Sequence, residues 1–167
     1  DGLDQRLSSL IFSTGCLPVP IPNSFHLELQ SVNQNKHAFD NWIKTINPGA
    51  FLLSGGNDIG DFPDRDIVEN WLLDHAEKNR LPALGICRGM QLMALRTGGK
   101  LKLLKGHVGT KHQLNGVISG NANSYHSQGL FECPPKFRIL ARSEDSHIEA
   151  IQHESLPWEG WMWHPER

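Results

Sequence analysis

The sequence predicts an α/β fold with a doubly wound, mostly parallel sheet and additional short antiparallel strands. Two short apolar segments, residues 50–53 and 81–86, have the length and composition of buried strands. Segments of helical periodicity precede the first strand, lie between the two strands and follow the second. Such alternation is typical of a parallel sheet with helices on both faces.

Two helices are predicted ahead of the first strand. The apolar stripe of the first consists of Leu3, Leu7, Leu10 and Ile11, and that of the second of Phe39, Ile43 and Ile46. Gly15 and Pro48-Gly49 are expected to end them. Between them, the prolines of residues 17–22 predict extended backbone, because a proline disfavours helix in the residue before it. A doubly wound sheet usually starts with a strand, so we expect further terminal segments beyond this sequence.

Two more helices flank the second strand. Asp66 and Glu69 have the spacing of a capping box, which predicts a helix start next to the apolar residues Ile67, Val68, Trp71 and Leu72. The following helix carries Met90, Leu92, Met93 and Leu95, and it should end at Gly98-Gly99. Beyond it, alternating segments at residues 100–104, 116–119, 137–142, 147–152 and 158–163 predict strands and hairpins that cover one side.

The composition favours a single domain, residues 1–167, in the cytoplasm. Charged residues make up 20% of the chain and the net charge is −2, so no nucleic-acid surface is indicated. No apolar run approaches the roughly 20 residues of a membrane helix, and no signal peptide is found. Cys16, Cys87 and Cys133 are scattered and odd in number, which argues for a reducing compartment rather than a disulfide framework.

The histidines form no common metal motif. The closest pair in sequence, His107 and His112, has a spacing that fits no usual zinc pattern. The chain also lacks C-x-x-C and H-E-x-x-H sequences. We therefore expect neither a metal ion nor an organic cofactor.

The pentapeptide Gly85-Ile86-Cys87-Arg88-Gly89 has the pattern of a nucleophile elbow between a strand and a helix. Such a turn needs small neighbours, because the nucleophile adopts a strained backbone conformation. The sulfur of Cys87 would lie at a helix N-terminus, where the partial positive charge favours the thiolate. The alternative is a small cysteine buried in the core.

The sequence also contains candidates for the base and the oxyanion donors that a nucleophilic Cys87 would need. His164 follows an apolar strand, and Glu166 lies two residues further on, where its carboxylate could orient the imidazole. The Gly55-Gly56 pair follows a buried strand, so backbone N–H groups there could approach a ligand closely. The predicted oxyanion donors are the N–H groups of Gly56 and Arg88. An ordinary strand exit and an ordinary turn are the alternatives.

Four segments together resemble the class I glutamine amidotransferase superfamily. They are the Gly55-Gly56 loop and residues 85–91, 123–127 and 163–166, and they occur in the family's order. The resemblance implies a flavodoxin-like fold and a triad of Cys87, His164 and Glu166. It further implies that the glutamyl group is held by a set of residues comprising Gly55, Asn57, Gln91, Tyr125, His126 and Ser127.

Within the superfamily, the residues after Gly55-Gly56 and the Arg88 that follows the cysteine look like the γ-glutamyl hydrolase branch. The Arg88 guanidinium could reach a carboxylate or phosphate of the substrate, or could pair with an acid on a helix face. Residues 106–112, 123–126 and 162–164 further resemble γ-glutamyl-CDP-amidate hydrolases of capsule phosphoramidate assembly. In that case His107, Lys111 and His112 would lie near a phosphorylated leaving group, with a solvated loop as the alternative. The segment between Asp58 and Arg65 is shorter than in the wider branch.

The sequence thus predicts an enzyme that hydrolyses a small γ-glutamyl amide through a glutamyl thioester. γ-Glutamyl-CDP-amidate and γ-glutamyl-GABA are the candidate substrates. The rival functions are a glutaminase subunit that passes ammonia to a synthase, and a non-catalytic binding module. No synthase partner is expected, while a homodimer is left open.

Overall fold

A computed structural model describes residues 4–23, 25 and 32–167. The helices are α1 (Gln5–Ser13), α2 (Val32–Ile46), α3 (Pro63–Asn79) and α4 (Arg88–Arg96). The strands are β1 (Phe51–Leu53), β2 (Ala83–Ile86), β3 (Leu101–Leu103), β4 (Val108–Gly116), β5 (Gly120–Tyr125), β6 (Gln128–Leu130), β7 (Phe137–Ser143), β8 (Ile148–His153) and β9 (Trp158–Trp161). All four predicted helices are confirmed within the described residues; Leu3 lies outside them.

Seven strands form one sheet in the order β1-β2-β9-β8-β7-β4-β5, and β3 pairs with β6 separately. The α/β fold that combines parallel strands with short antiparallel strands is confirmed. Parallel pairing joins β1 to β2 and β2 to β9, whereas the other four pairings of the seven-stranded sheet are antiparallel. The antiparallel part of the described sheet is therefore larger than the sequence predicted.

The three parallel strands bring the ends of distant segments to one edge of the sheet. Their register pairs Leu53 with Gly85 and Ile86 with Trp161. Because parallel strands end on the same side, the residues after β1, β2 and β9 lie next to one another. These are the loop that contains Gly55, the turn at Cys87 and the segment that contains His164.

The core is built around this parallel unit. Phe39, Leu73, Met90, Met93 and Ile151 are all fully buried in one cluster that joins helices to the sheet. The buried indole of Trp158 donates from Nε1 to the Leu81 carbonyl at 3.2 Å, so its polar atom is satisfied. A second, smaller cluster packs between the antiparallel strands and contains Leu114, Ala122, Leu140, Ala141 and Ala150.

The predicted capping box at the start of α3 is wrong. The helix begins earlier, at Pro63, with Phe62 as its cap residue. Proline suits the first helical position because its fixed φ fits the helix and its missing N–H would have no helical partner there. Asp66 therefore lies inside the helix, where its Oδ2 accepts from the Gly60 N–H at 2.8 Å.

Residues 116–119 were predicted as a strand but mainly connect β4 to β5. Gly116 and Gly120 bracket this connection with φ values of 142° and 126°, which favour glycine. Residues 108–112, for which a solvated loop was one interpretation, instead lie in β4. Among the described helices, none is long and apolar enough to cross a membrane.

Candidate functional site

Cys87 has the backbone geometry that the elbow pattern predicts. Its φ and ψ are 50° and −102°, and its N–H donates to the Trp161 carbonyl at 2.7 Å. A Cβ at Gly85 would lie 2.5 Å from the Gly89 carbonyl carbon, and a Cβ at Gly89 would lie 2.3 Å from the Leu53 oxygen. Both glycines are therefore required for the strand, the turn and the helix to approach this closely.

The environment of the Cys87 sulfur favours the thiol rather than the thiolate. Only 7% of the residue is exposed. Burial raises the pKa of the Cys87 thiol to about 11, although the Arg88 backbone N–H opposes this shift by donating to the sulfur. The expected stabilisation of a thiolate at the helix N-terminus is therefore outweighed by desolvation. A nucleophile here needs a base to remove its proton.

His164 and Glu166 form a close pair after β9. His164 Nδ1 lies 2.7 Å from Glu166 Oε1, and the side chains are 5% and 6% exposed. With Nδ1 on the carboxylate, Nε2 is the nitrogen left to exchange a proton. The imidazole lies over Gly55, since a Cβ there would be 2.5 Å from His164 Cε1. Any side chain at position 55 would thus displace the candidate base.

Asn123 holds this turn, although the sequence analysis gave it no role. Its Oδ1 accepts from the His164 N–H at 2.8 Å, and its Nδ2 donates to the carbonyls of His164 and Arg167 at 2.8 and 2.9 Å. Its place in a segment shared with the family was the available signal. Its partners are more than 40 residues away in sequence.

Replacing Asn123 by alanine should lower activity more than stability. The variant loses three hydrogen bonds that set the position of the His164 backbone, and a misplaced base slows proton transfer. We expect kcat to fall about 10²-fold with a modest change in melting temperature. The matched control is Asn121→Ala, because Asn121 is exposed on the same strand. Equal kcat values for the two variants would contradict a positioning role.

The loop that contains the Gly55-Gly56 pair is fastened by Arg65 of α3. Arg65 Nη2 donates to the carbonyls of Ser54 and Gly55 at 2.9 and 3.1 Å. A Cβ at Gly56, whose φ is 148°, would lie 2.4 Å from Arg65 Nη1. Arg65 Nε in turn donates to Glu69 at 2.8 Å. The loop is thus held by contacts within this chain, which the sequence analysis did not foresee.

The Arg88 side chain faces the protein interior. Its guanidinium is 2% exposed and pairs with the carboxylates of Asp66 and Glu69. Of the two roles considered for Arg88, the structure therefore places the side chain on helix-face acids rather than near a substrate. Its backbone N–H remains directed at the Cys87 sulfur, and the role as oxyanion donor stays a prediction.

The residues expected to hold the glutamyl group divide into two sets. Asn57, Tyr125 and Ser127 are exposed, and the Tyr125 ring lies 5.8 Å from the His164 ring. Gln91 and His126 are buried. Gln91 Nε2 donates to the Gln128 carbonyl at 2.8 Å, and His126 Nδ1 lies 3.2 Å from the same oxygen.

Gln128, which the sequence analysis left out, connects these buried side chains to the glycine loop. Its Nε2 donates to Asp58 Oδ2 at 2.7 Å. Gln128 therefore links the start of β6 to the residues that follow Gly55-Gly56. The roles of Gln91 and His126 as direct substrate contacts stay predictions.

An open cleft adjoins Tyr125 on the outer side of the site. Its lining residues are Asp4, Gln5, Arg6, Tyr125 and Arg167. The Arg167 guanidinium lies 5.1 Å from the centre of the Tyr125 ring, within cation–π distance. Two arginines, Arg6 and Arg167, thus line this cleft beside Tyr125.

His107 and His112 do not face this cleft. Both are buried, at 1% and 7% exposure, and their ring centroids lie 4.2 Å apart with an interplanar angle of 41°. Lys111 is exposed between them in β4. The expectation that both histidines contact a phosphorylated leaving group is therefore not supported by their positions.

Comparison with known proteins identifies relatives of this chain. A family model described as glutamine amidotransferase class-I matches residues 23–167. A glutamine-hydrolyzing GMP synthase subunit from Methanothrix thermoacetophila is 40% identical over 151 residues, which span 84% of this chain and 82% of that protein. The γ-glutamyl-CDP-amidate hydrolase of Campylobacter jejuni is 29% identical over 124 residues, which span 71% and 62%.

A solved structure has the same fold. The crystal structure of a glutamine amidotransferase from Thermotoga maritima matches with a TM-score of 0.69, covering 96% of this chain and 69% of that chain. Sequence identity is 14%, so this likeness is informative about fold alone.

Proposed function

The chain belongs to the class I glutamine amidotransferase family and is an amidohydrolase of that kind, and we propose that it cleaves a γ-glutamyl amide through Cys87, His164 and Glu166. The main support for this proposal is that the candidate residues follow two adjacent parallel strands. The strained Cys87 turn follows β2, and the His164–Glu166 pair follows the adjacent parallel strand β9. A nucleophile, its base and an orienting carboxylate are the parts that acyl transfer through a thiol requires.

The proposed reaction begins with proton transfer from the Cys87 thiol to His164 Nε2. The sulfur then attacks the γ-carbonyl carbon, and the N–H groups of Gly56 and Arg88 stabilise the oxyanion. His164 returns the proton to the leaving amine, which departs and leaves a glutamyl thioester. Water, deprotonated by His164, attacks the thioester, and glutamate and the free thiol are released.

Because the pKa of the Cys87 thiol is raised, the reaction depends on His164 to remove the thiol proton. A buried thiol with a pKa of about 11 is almost entirely protonated at neutral pH. The Glu166 carboxylate on Nδ1 stabilises the imidazolium that forms when Nε2 takes the proton. The thiol and the imidazole therefore act together rather than as independent groups.

The cleft beside Tyr125 supports a leaving group that carries negative charge. Arg6 and Arg167 line it together with one carboxylate, Asp4, whose side chain accepts the Arg6 and Leu7 backbone N–H groups. An anionic leaving group such as a nucleotide phosphate would meet both guanidinium groups. Two guanidinium groups match the two phosphates of γ-glutamyl-CDP-amidate better than the single carboxylate of γ-glutamyl-GABA, which supports the former and hence a role in capsule phosphoramidate synthesis.

A glutaminase subunit that supplies ammonia to a synthase is the second candidate. The similarity to the glutamine-hydrolyzing GMP synthase subunit supports it as strongly as the hydrolase relatives support the first. Arg88 was expected to argue against this function, but its guanidinium is buried on Asp66 and Glu69 and so does not distinguish substrates. Arg88 therefore does not support the expectation that this chain has no synthase partner. Fastening of the glycine loop by Arg65 supports a hydrolase that acts alone.

The three thiols support a reducing, cytoplasmic location. Cys16, Cys87 and Cys133 are all free, and they lie at exposed, buried and intermediate positions. Oxidation of Cys87 would remove the proposed nucleophile, so the reaction requires that this thiol stays reduced.

The two candidate functions differ in what the purified chain does by itself. It should be supplied with glutamine, γ-glutamyl-GABA and γ-glutamyl-CDP-amidate, and glutamate release should be measured with Cys87→Ala as the blank. We expect rapid release from γ-glutamyl-CDP-amidate without any added protein. Slow release from glutamine that rises only when a synthase is added would instead support the glutaminase function. Failure to cleave any of the three, alone or with the synthase, would contradict both.

A charge variant tests the leaving-group assignment separately. Arg6→Ala should raise KM for the phosphorylated substrate about tenfold and leave KM for glutamine unchanged, because only the former carries phosphate. Arg138→Ala is the control, since Arg138 is exposed and bonds to Gln152 on another part of the sheet. Equal effects of Arg6→Ala on both substrates would contradict binding of a phosphate in this cleft.

A further inference from the structure

Among the described residues, four buried polar atoms without hydrogen-bond partners lie close together in the antiparallel half of the sheet. They are His107 Nδ1, His112 Nε2, His126 Nε2 and Glu149 Oε1. The four residues are between 1% and 7% exposed. Buried polar groups are nearly always paired, so four unpaired atoms in one place need a cause.

The distances suit ligands of one ion better than hydrogen bonds. Glu149 Oε1 lies 3.5 Å from His126 Nε2 and 3.7 Å from His107 Nδ1. One donor atom each of His107, His112 and Glu149 lie within 4.8 Å of one another, and His126 adjoins this group of three through its contact with Glu149. Bonds of about 2.0–2.1 Å to a tetrahedral zinc ion put neighbouring ligand atoms about 3.3–3.4 Å apart.

Two of the histidines have a hydrogen-bond acceptor on the ring nitrogen that lies away from Glu149, the outer nitrogen. His107 Nε2 lies 2.9 Å from Asp145 Oδ2, and His126 Nδ1 lies 3.2 Å from the Gln128 carbonyl. Carboxylate and carbonyl oxygens only accept, so each of these outer nitrogens carries the hydrogen. The inner nitrogens therefore present lone pairs to the Glu149 carboxylate, an arrangement of acceptors that a cation would stabilise. Metal-bound histidines commonly have such acceptors on their other nitrogen.

We propose that His107, His112, His126 and Glu149 bind a divalent transition-metal ion of the zinc class. Three imidazoles and a carboxylate complete a tetrahedral set with no open position, which is typical of a structural rather than a catalytic zinc site. Successive ligands are 5, 14 and 23 residues apart in sequence, so no short sequence motif predicts them. The expectation that the chain binds no metal is replaced by this proposal.

The site would join elements that hold the candidate active site. The Gln128 carbonyl, which His126 contacts, also accepts from Gln91 on the helix after Cys87. The Glu149 backbone carbonyl accepts from the Met162 N–H at 2.8 Å, two residues before His164. A metal ion here would therefore fix both the helix after the nucleophile and the turn of the base without contacting substrate.

Metal content of the purified, tag-free full chain tests the proposal directly. After incubation with Zn²⁺ and exhaustive dialysis, we expect about one zinc ion per chain by elemental mass spectrometry. Replacement by Co²⁺ should give the intense visible absorption of a tetrahedral nitrogen and oxygen site. Chelation should lower the melting temperature, because an ion that binds only the folded chain stabilises it. Wild-type protein that retains less than about a tenth of an equivalent would overturn the proposal.

Variants locate the ion. His112→Ala and Glu149→Gln should each lose retained zinc, whereas His75→Ala, which removes a histidine of α3, should retain it. Asp145→Asn keeps all four ligands and should weaken affinity about 10–100-fold. This variant and the wild-type titration remain informative if removal of a ligand unfolds the chain. Unchanged zinc content in folded His112→Ala and Glu149→Gln proteins would show that the zinc binds elsewhere on the chain, and would overturn the site.

Discussion

Replacing Cys87 by alanine should abolish glutamate release, with a loss of about 10⁴-fold or more. The same loss is expected for His164→Ala, because a thiol whose pKa is raised to about 11 by burial is inert without the base. Residues that act as one unit are strongly non-additive. The double variant should therefore be hardly worse than either single variant. Additive losses would mean that His164 acts outside the unit, and an active Cys87→Ala variant would disprove the mechanism.

The pH dependence of Cys87 alkylation provides a second readout of the same pair. In the His164→Ala variant the thiolate fraction should keep rising through pH 9 and 10, since burial places the pKa of Cys87 near 11. Alkylation should therefore speed up with increasing pH and show no plateau below that value. In the wild type, transfer of the thiol proton to His164 should allow faster reaction near neutral pH. Cys16, which is exposed, serves as the internal reference in peptide-resolved mass spectrometry.

Sequence reasoning located the parts of the site that depend on local pattern. The glycines around Cys87 allow close backbone approach, and the glycine pair after β1 makes room for the His164 and Arg65 side chains. Both requirements appear in the sequence as glycines within a few residues of each other. The His164–Glu166 pair spans two residues and could be read in the same way. Alternation of apolar segments likewise sufficed for the four helices and for the parallel strands β1 and β2. The segment of β9 was predicted among the strands and hairpins that cover one side, whereas it pairs in parallel with β2.

Contacts that join distant segments could not be predicted in this way. Asn123 reaches the His164 turn across 41 residues, and Arg65 reaches the glycine loop from a different element. The histidine cluster depends on which antiparallel strands become neighbours, and no spacing in one sequence fixes that order. The error at Asp66 is partly local, because Pro63 already starts the helix and the Asp66 carboxylate accepts from the Gly60 N–H. The same carboxylate also pairs with Arg88 across 22 residues, which no local pattern indicates.

The single-domain organisation remains a prediction. The main hydrophobic cluster draws residues from α1 through β9, which is consistent with one folding unit in the described ranges. A homodimer also stays open, since its test is the oligomeric state in solution. Neither point affects the assignment of Cys87, His164 and Glu166, because all three belong to the same edge of one sheet.

Replacing Arg88 by methionine should destabilise the chain by about 3–5 kcal/mol, because Asp66 loses its cation and Glu69 keeps only Arg65 as a partner. Arg88 is 2% exposed, and the side chains of its partners Asp66 and Glu69 are 17% and 9% exposed. Methionine has a helix propensity close to that of arginine and keeps the backbone N–H proposed for the oxyanion. The loss should therefore report the ion pairs rather than the helix or the reaction.

Arg96 on the same helix is a matched control. It also pairs with two acids of α3, Asp74 and Glu77, but those side chains are 55% and 46% exposed. Exposed ion pairs contribute little, so Arg96→Met should cost no more than about 1 kcal/mol in urea unfolding. Similar losses for both variants would show that the Arg88 network does not stabilise the fold. A raised KM in Arg88→Met with unchanged stability would instead place its guanidinium on the substrate, contrary to its buried contacts with Asp66 and Glu69.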